Sequence, residues 1–299
     1  MATSNEVRRT PGTPDHPRTP GASATKVPDP LPEETKRLLR WLVQRSGRVS
    51  GLPLGEPFLR SDERLSAYGP PVARMLRGGR SGEVRLKLYL SMSLLATRAP
   101  YDVSHIPARA WAQILNLADP TTNGARRVNE AIAWLDTNHF VRATRGRGAP
   151  GTIVMLHQSG SGADYVRPGG RWVQVPLGFW ENGWIVHLGG TAVALLLILL
   201  DLQGGRQVSQ SIVPSEARAR YGLSPDTWTK GTKELQDLGL LRIGKAPQGD
   251  VWDFRRLRNT YWVYEDRLRL PPGAEAEDIS KRSGEPRPRR RRRRRVSAT

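Results

Sequence analysis

From residue 31 onward the chain alternates stretches of helical periodicity with short β-type runs, and this rhythm occurs twice. In the downstream copy, 213–222 places Pro214 near a first turn and Gly222 where the helix must stop, which predicts a short helix. Leu223 follows as a turn residue available for burial. Ser224-Pro225-Asp226 then opens a second helix, with Ser as N-cap, Pro at the first helical position and a carboxylate at the positive end of the dipole. Along it Trp228, Gly231, Leu235 and Leu238 form one narrow apolar or small-residue face. Thr227, Thr229, Lys230, Lys233 and Gln236 fall on the other side. Gly239 ends the helix, and 240–243 reads as a strand. The stretch 244–250 is loop-like, Arg255, Arg256 and Arg258 are basic, and 259–264 reads as a returning strand.

The upstream copy has the same order. An apolar-rich helix is expected over 84–97, with Leu86, Leu90 and Leu94 on one side and Leu88 and Leu95 near it. A short helix over 107–115 offers Trp111, Ile114 and Leu115 for burial. Leu117-Ala118-Asp119-Pro120 repeats the logic of turn, cap and proline. The following helix turns Val128, Ala131, Ile132 and Leu135 inward. It leaves Arg126, Arg127, Asn129 and Glu130 outside, with Thr122 and Asn123 at its N-terminal end. The runs 140–142 and 152–156 can pair as a hairpin whose tip carries Arg145 and Arg147 separated by glycine. Guanidinium groups so placed suit a narrow minor groove, while the plainer reading is a surface turn with incidental charge.

Around these copies, 1–30 is rich in Thr, Pro, Arg and Gly and is expected to be disordered. An amphipathic helix is predicted over 31–47, ending at Gly47. It could dock on the first domain or serve as a partner helix, and docking is the more ordinary choice. The Gly- and Pro-punctuated stretch 48–82 offers one short helix near 72–77. The segment 159–170 reads as a linker, and 171–176 as a strand. Phe179, Trp180 and Trp184 read as core aromatics. A helix from Thr191, as its cap, to about Gln203 is apolar on almost every face, so it must be buried widely.

Charge narrows the choice of partner. The formal net charge is +19, which points to a polyanion, and nucleic acid fits better than a membrane surface because no basic stretch has a broad exposed apolar face. The unbroken arginine run from Arg289 to Arg295, led by Arg289, Arg290 and Arg291, lies in a polar tail; with Lys281, Arg282 and Arg287 it makes ten positive charges, nine net after Glu285, so almost half of that charge belongs to no folded groove. The absence of cysteine excludes disulfides and thiolate chemistry and is compatible with a reducing cytoplasm. The longest apolar run, 192–200, is far short of the roughly 18 residues that span a bilayer. The N-terminus lacks the apolar core of a secretory signal.

The search for catalytic chemistry finds no nucleus. His16, His105, His139, His157 and His187 form no HxH or HExxH pair, and no phosphate-binding GxxxxGK[ST] loop exists. Gly146-Arg147-Gly148 lacks the strand and helix of a nucleotide fingerprint. Asp250 and Asp253 are the closest carboxylates of a loop. Tyr261 and Tyr264 could in principle be nicking nucleophiles, but without a paired-histidine metal motif they read as core strand residues. The expectation is therefore no enzyme, no catalytic residue, no metal and no cofactor.

Val173-Gln174-Val175-Pro176, the Leu-rich helix, Leu238-Gly239-Leu240-Leu241 and Arg256-Leu257-Arg258-Asn259-Thr260-Tyr261 together resemble bacterial winged-helix DNA-binding proteins. With two modules in tandem the chain is similar to winged-helix replication initiators of plasmids and phages, and less closely to single-module transcriptional regulators. The resemblance covers 83–268 and departs at both tails and in lacking a recognisable helicase-loading segment. The expected fold is α+β, mainly α, with two tandem winged helix-turn-helix domains at 83–158 and 171–270. A helix and extended segment precede them at 31–82, a linker joins them at 159–170, and disordered tails flank them at 1–30 and 271–299.

The resemblance gives base reading to the second helix of each module, hence to Asn123, Arg126, Arg127 and Asn129, and to Thr227, Thr229, Lys230 and Lys233. Arg145, Arg147, Arg255, Arg256 and Arg258 would follow phosphates or the minor groove. Double-stranded DNA is the expected partner, with a second copy or the replication machinery beside it, no membrane, and a cytoplasmic, nucleoid- or plasmid-associated location. A transcriptional regulator is the nearest rival; a DNA-nicking enzyme and an RNA-binding or nucleoid protein stand further off.

Overall fold

Helix α1 (Glu33–Ser46) buries Leu39, Leu42 and Val43 and stops at Gly47, whose φ of 61° is the left-handed conformation that closes helices. The computed structural model describes residues 26–61, 69–78, 80–103, 105–144, 151–204, 211–212, 218–247 and 257–274. The fold is α+β and mainly helical, with small antiparallel sheets. After α1 come β1 (Leu52–Gly55), α2 (Glu56–Leu59), α3 (Pro71–Leu76) and α4 (Arg80–Leu95). Strand β2 (Asp102–Val103), α5 (Ala108–Ile114), α6 (Asn123–Thr137), β3 (Val141–Ala143) and β4 (Ile153–Met155) follow.

The second half opens with β5 (Trp172–Val175), α7 (Gly178–Glu181), α8 (Trp184–His187) and α9 (Gly190–Gln203). It continues through β6 (Ser211–Ile212), α10 (Pro225–Asp237), β7 (Leu241–Pro247), β8 (Leu257–Val263) and a 3₁₀ turn (Glu265–Arg269). Among the described residues the short helix expected over 213–222 shows only its last turn, at Arg218 and Ala219.

The two halves share one topology. In the first, β2, β3 and β4 form an antiparallel sheet of order β2-β4-β3, and in the second, β6, β7 and β8 form one of order β6-β8-β7. Each sheet is preceded by a long helix, α4 or α9, and α6 or α10 leads directly into its hairpin. The first hairpin pairs Val141 with Met155 and Ala143 with Ile153. The second runs from Leu241 opposite Val263 to Pro247 opposite Leu257.

Helix α9 explains its own composition. Every residue except Thr191 and Leu202 is buried, because α4, α10, β5, β8, α2 and α3 all pack on it. Its 14 residues make a rod of roughly 21 Å, short of the ~30 Å bilayer core, and among the described residues no helix is long and apolar enough to cross a membrane. The N-cap differs from expectation. Gly189 occupies it in place of Thr191, and the Glu234 carboxylate accepts from the Gly189 N–H at 2.6 Å. A side chain from another helix thus satisfies the end that Thr191 was expected to cap.

The segment 48–82, which gave little away as sequence, is part of the core. Strand β1 pairs with β5, matching Leu52 to Val175 and Gly55 to Trp172, and Phe58, Leu59, Val72 and Met75 are buried. Arg48 donates to the Leu94, Ser93 and Ala96 carbonyls at 2.8, 3.0 and 3.3 Å, closing the C-terminal end of α4. Helix α1 docks on α4, α5 and α7. Tyr165, within 159–170, is buried and packs on Tyr101 with ring centroids 4.6 Å apart. One hydrophobic cluster runs from Leu31 to Leu268 and takes in both repeated halves. The buried indoles of Trp180 and Trp184 donate to Ser91 Oγ at 3.2 Å and to the Leu270 carbonyl at 2.8 Å.

Candidate nucleic-acid interface

Helix α10 is positioned by its apolar face. Trp228, Gly231 and Leu235 are buried against α9, and at Gly231 an added Cβ would lie 3.0 Å from the Thr191 carbonyl oxygen. That close approach favours glycine, since a Cβ would require the carbonyl to give way. The helix begins as its sequence requires, with Ser224 Oγ accepting from the Thr227 N–H at 3.2 Å and Pro225 in the first turn.

The opposite face carries the expected readers. Thr229, Lys230, Lys233 and Gln236 are exposed and Thr227 is half-buried. Lys230 pairs with Asp226 at 2.8 Å and Lys233 with Asp237 at 2.7 Å. Thr229 donates its hydroxyl to the Pro225 carbonyl at 2.9 Å. Exposed pairs of this spacing contribute only about 0.3–0.5 kcal/mol, so a stronger partner displaces them readily.

Helix α6 is the equivalent element of the first half. Asn123, Arg126 and Asn129 are exposed and Arg127 is half-buried, while Val128, Ala131 and Leu135 are buried and Ile132 packs at the edge of the core. Arg126 pairs with Glu130 at 2.8 Å, and Asn123 donates to Asp119 at 3.2 Å. Its start corrects the expected parallel with Ser224-Pro225. Asp119 is not the cap; it takes a left-handed φ of 47°, and its carbonyl accepts from the Thr122 and Gly124 N–H groups. The helix begins three residues beyond Pro120, because Asp119 and Pro120 are used in a turn.

The two helices are not where the positive charge is concentrated. Helix α10 sets Lys230 and Lys233 against Asp226, Glu234 and Asp237, and α6 sets Arg126 and Arg127 against Glu130 and Asp136. What they expose is hydrogen-bonding variety: amide, hydroxyl, ammonium and guanidinium. Cations stand on the hairpins instead. Arg142 of β3 and Arg242 and Lys245 of β7 are exposed, and Arg258 of β8 is half-buried. Arg142, Arg242 and Lys245 were not singled out in the sequence; their signal was alternation, since in a half-buried strand every second residue faces solvent. Arg145, Arg147, Arg255, Arg256, Arg289, Arg290 and Arg291 lie outside the described residues, as do the tails at 1–25 and 275–299.

Buried charge sits elsewhere. Lys87, 4% exposed, donates to Glu83 at 2.6 Å and to the Val186 carbonyl at 3.1 Å. Burial lowers its pKa, opposed by the carboxylates of Glu83 and Glu234, while Arg127 lowers it further. Arg85 lies over the Trp134 ring at 4.5 Å. Among the described residues no group of three or more His, Asp or Glu side chains is placed to hold a metal ion. Tyr261, 3% exposed, packs edge-on to Trp228 with centroids 5.9 Å apart. Comparison with family models, curated proteins and solved structures finds no match for this chain.

Proposed function

We propose that the chain is a non-enzymatic, sequence-specific double-stranded DNA-binding protein built from two tandem winged helix-turn-helix modules. The observation that carries this reading is the recurrence of one element order and one strand order, with an exposed polar helix at the same place in each half. In such a module the helix before the hairpin enters the major groove, and the hairpin lies along the adjacent backbone. Helices α6 and α10 would then read bases through Asn123, Arg126, Arg127, Asn129, Thr227, Thr229, Lys230 and Lys233. The charge distribution supports this division, because base edges are read by matched donors and acceptors whereas phosphates are held by cations. The narrower role, a replication initiator-like protein of a bacterial plasmid or mobile element acting in the cytoplasm, rests on the sequence resemblance.

The test is affinity of Lys230→Ala and Lys233→Ala for a selected duplex and for a scrambled one at a single salt concentration. Each variant should lose about 1–3 kcal/mol on the selected duplex if its ammonium reaches a base edge, and clearly less on the scrambled one. Equal losses on both would reduce that residue to a phosphate contact and remove it from the reading surface.

A further inference from the structure

A pocket of about 500 Å³ lies where α2, α3 and the segment leading into β5 meet, and no residue of α6 or α10 lines it. Its walls are stiff. Pro57 stands in the first turn of α2, and Pro70 and Pro71 open α3, so the backbone there has few alternatives. The Ser61 N–H donates to the Arg220 carbonyl at 3.1 Å, and an added Cβ at Gly222 would lie 2.9 Å from Pro70 Cδ. The pocket is thereby seated against the turn that precedes α10.

Arg60, Arg74 and Arg171 line it against one lining carboxylate, Glu56. Arg60 pairs with Glu56, while its Nε stands 3.7 Å from Asp201 Oδ2, too far for a hydrogen bond. That Nε is buried and, among the described residues, meets no acceptor. Arg171 is oriented by the Asp201 carboxylate at 3.1 Å, and Arg74 lies over the Phe140 ring at 5.2 Å. Glu56 and the buried Asp201 offset two of the three guanidinium charges, so the set stays net positive.

We propose that this pocket binds the phosphate group of a small organic phosphomonoester. The proposal is independent of whether α6 and α10 read bases. Guanidinium forks match carboxylate and phosphate alike, but only a phosphate has enough oxygens to meet three of them at once. The volume exceeds what a bare phosphate fills and falls within the range of about 300–1,000 Å³ usual for small-molecule sites. The three prolines offer the organic part an apolar wall. A phosphate of the DNA backbone shares this chemistry, but as a diester it brings one charge where a monoester brings close to two.

The experiment titrates the full chain with inorganic phosphate and with phenyl phosphate by calorimetry. Both should bind saturably, phenyl phosphate the more tightly; if it binds no better than phosphate, the ester is overturned. Arg74→Gln should weaken both by about tenfold or more, the loss expected for a charge-assisted hydrogen bond. Arg171→Gln should do the same and serves if the first variant folds poorly. Arg74→Lys, which restores charge without the fork, should recover only part. Unchanged binding in both Gln variants would put the anion elsewhere, on the arginine run for example, and full recovery by Lys would mean attraction without a built site; either result overturns the proposal. A repeat with the protein saturated by duplex DNA separates the two sources of phosphate. Undiminished binding supports the small ligand, whereas displacement, with Arg74→Gln weakening the duplex equally, would make the pocket a DNA backbone contact and overturn it.

Discussion

Replacing Asp201 with Ala should lower the free energy of unfolding by about 3–5 kcal/mol, the range for removing one partner from a buried ionic group. Asp201 is 1% exposed near the end of α9 and answers three elements at once. Arg171, just before β5, donates Nε to its carboxylate at 3.1 Å and a terminal N–H to its carbonyl at 2.5 Å. Tyr221 donates its hydroxyl at 2.8 Å, and the phenol's pKa is raised by burial and by that carboxylate. Arg60, after α2, lies with Nε at 3.7 Å. Arg171 is half-exposed and can turn to water when the carboxylate is gone. Arg60 is largely buried and, among the described residues, pairs otherwise with Glu56, so the loss falls there and on the buried Tyr221 hydroxyl, which loses its acceptor. Asp201→Asn keeps an acceptor and should lose less. Urea unfolding followed by tryptophan fluorescence measures both; a loss below about 1 kcal/mol for Ala would mean that the guanidinium groups do not depend on this carboxylate.

Trp228→Ala should be comparably damaging, about 3–5 kcal/mol for deleting a buried aromatic side chain. Trp228 anchors α10: its indole donates to Tyr261 Oη at 3.3 Å, and the Arg218 guanidinium lies 5.1 Å from its ring. It couples the helix to β8 and to the residues leading into the turn. Trp228→Phe, which keeps a ring and loses the indole donor, separates the parts, with about 1 kcal/mol assigned to the hydrogen bond. Denaturation of the two variants side by side checks this. Similar losses for Phe and Ala would show that the hydrogen bond, and not ring burial, holds the helix. Lys230→Ala, on the exposed face, gives the contrast, since it should leave stability within about 0.5 kcal/mol of wild type.

Local signals in the chain account for much of this architecture. The Ser224-Pro225 start, the alternation of Trp228, Gly231 and Leu235, and the terminating Gly47 and Gly204 act within a few residues, so periodicity and capping rules reach them directly. The all-apolar α9 announced wide burial before its neighbours were known. What stayed hidden depends on tertiary partners. The pairing of β1 with β5 joins residues more than a hundred positions apart, and four-residue strands leave too short a pattern to find each other in sequence. The α9 cap was misplaced because its acceptor, Glu234, comes from another helix. Asp119 looked like a second cap because Asp-Pro is read alike in a cap and in a turn, and only the backbone decides.

The candidate surface was legible to the same degree. Thr229, Lys230, Lys233, Asn123, Arg126 and Asn129 are exposed, as a solvent-facing helix side requires, while Arg127 is half-buried. The buried ion pair of α4 could not be foreseen. Glu83 and Lys87 are ordinary surface-type residues in sequence, and no capping or motif signal marks Lys87 as buried. Its apolar neighbours on both sides were the available hint, because α4 is buried along nearly its whole length.

Selection of bound duplexes from a random-sequence library tests the central claim most directly. Two short elements at one fixed separation should be enriched, one for each polar helix, and the enriched duplex should be bound more tightly than scrambled DNA by a factor of about 10³ or more at physiological salt. Enrichment of no sequence, with binding that depends on salt alone, would contradict the claim and leave a protein that holds polyanions through its cations without reading them.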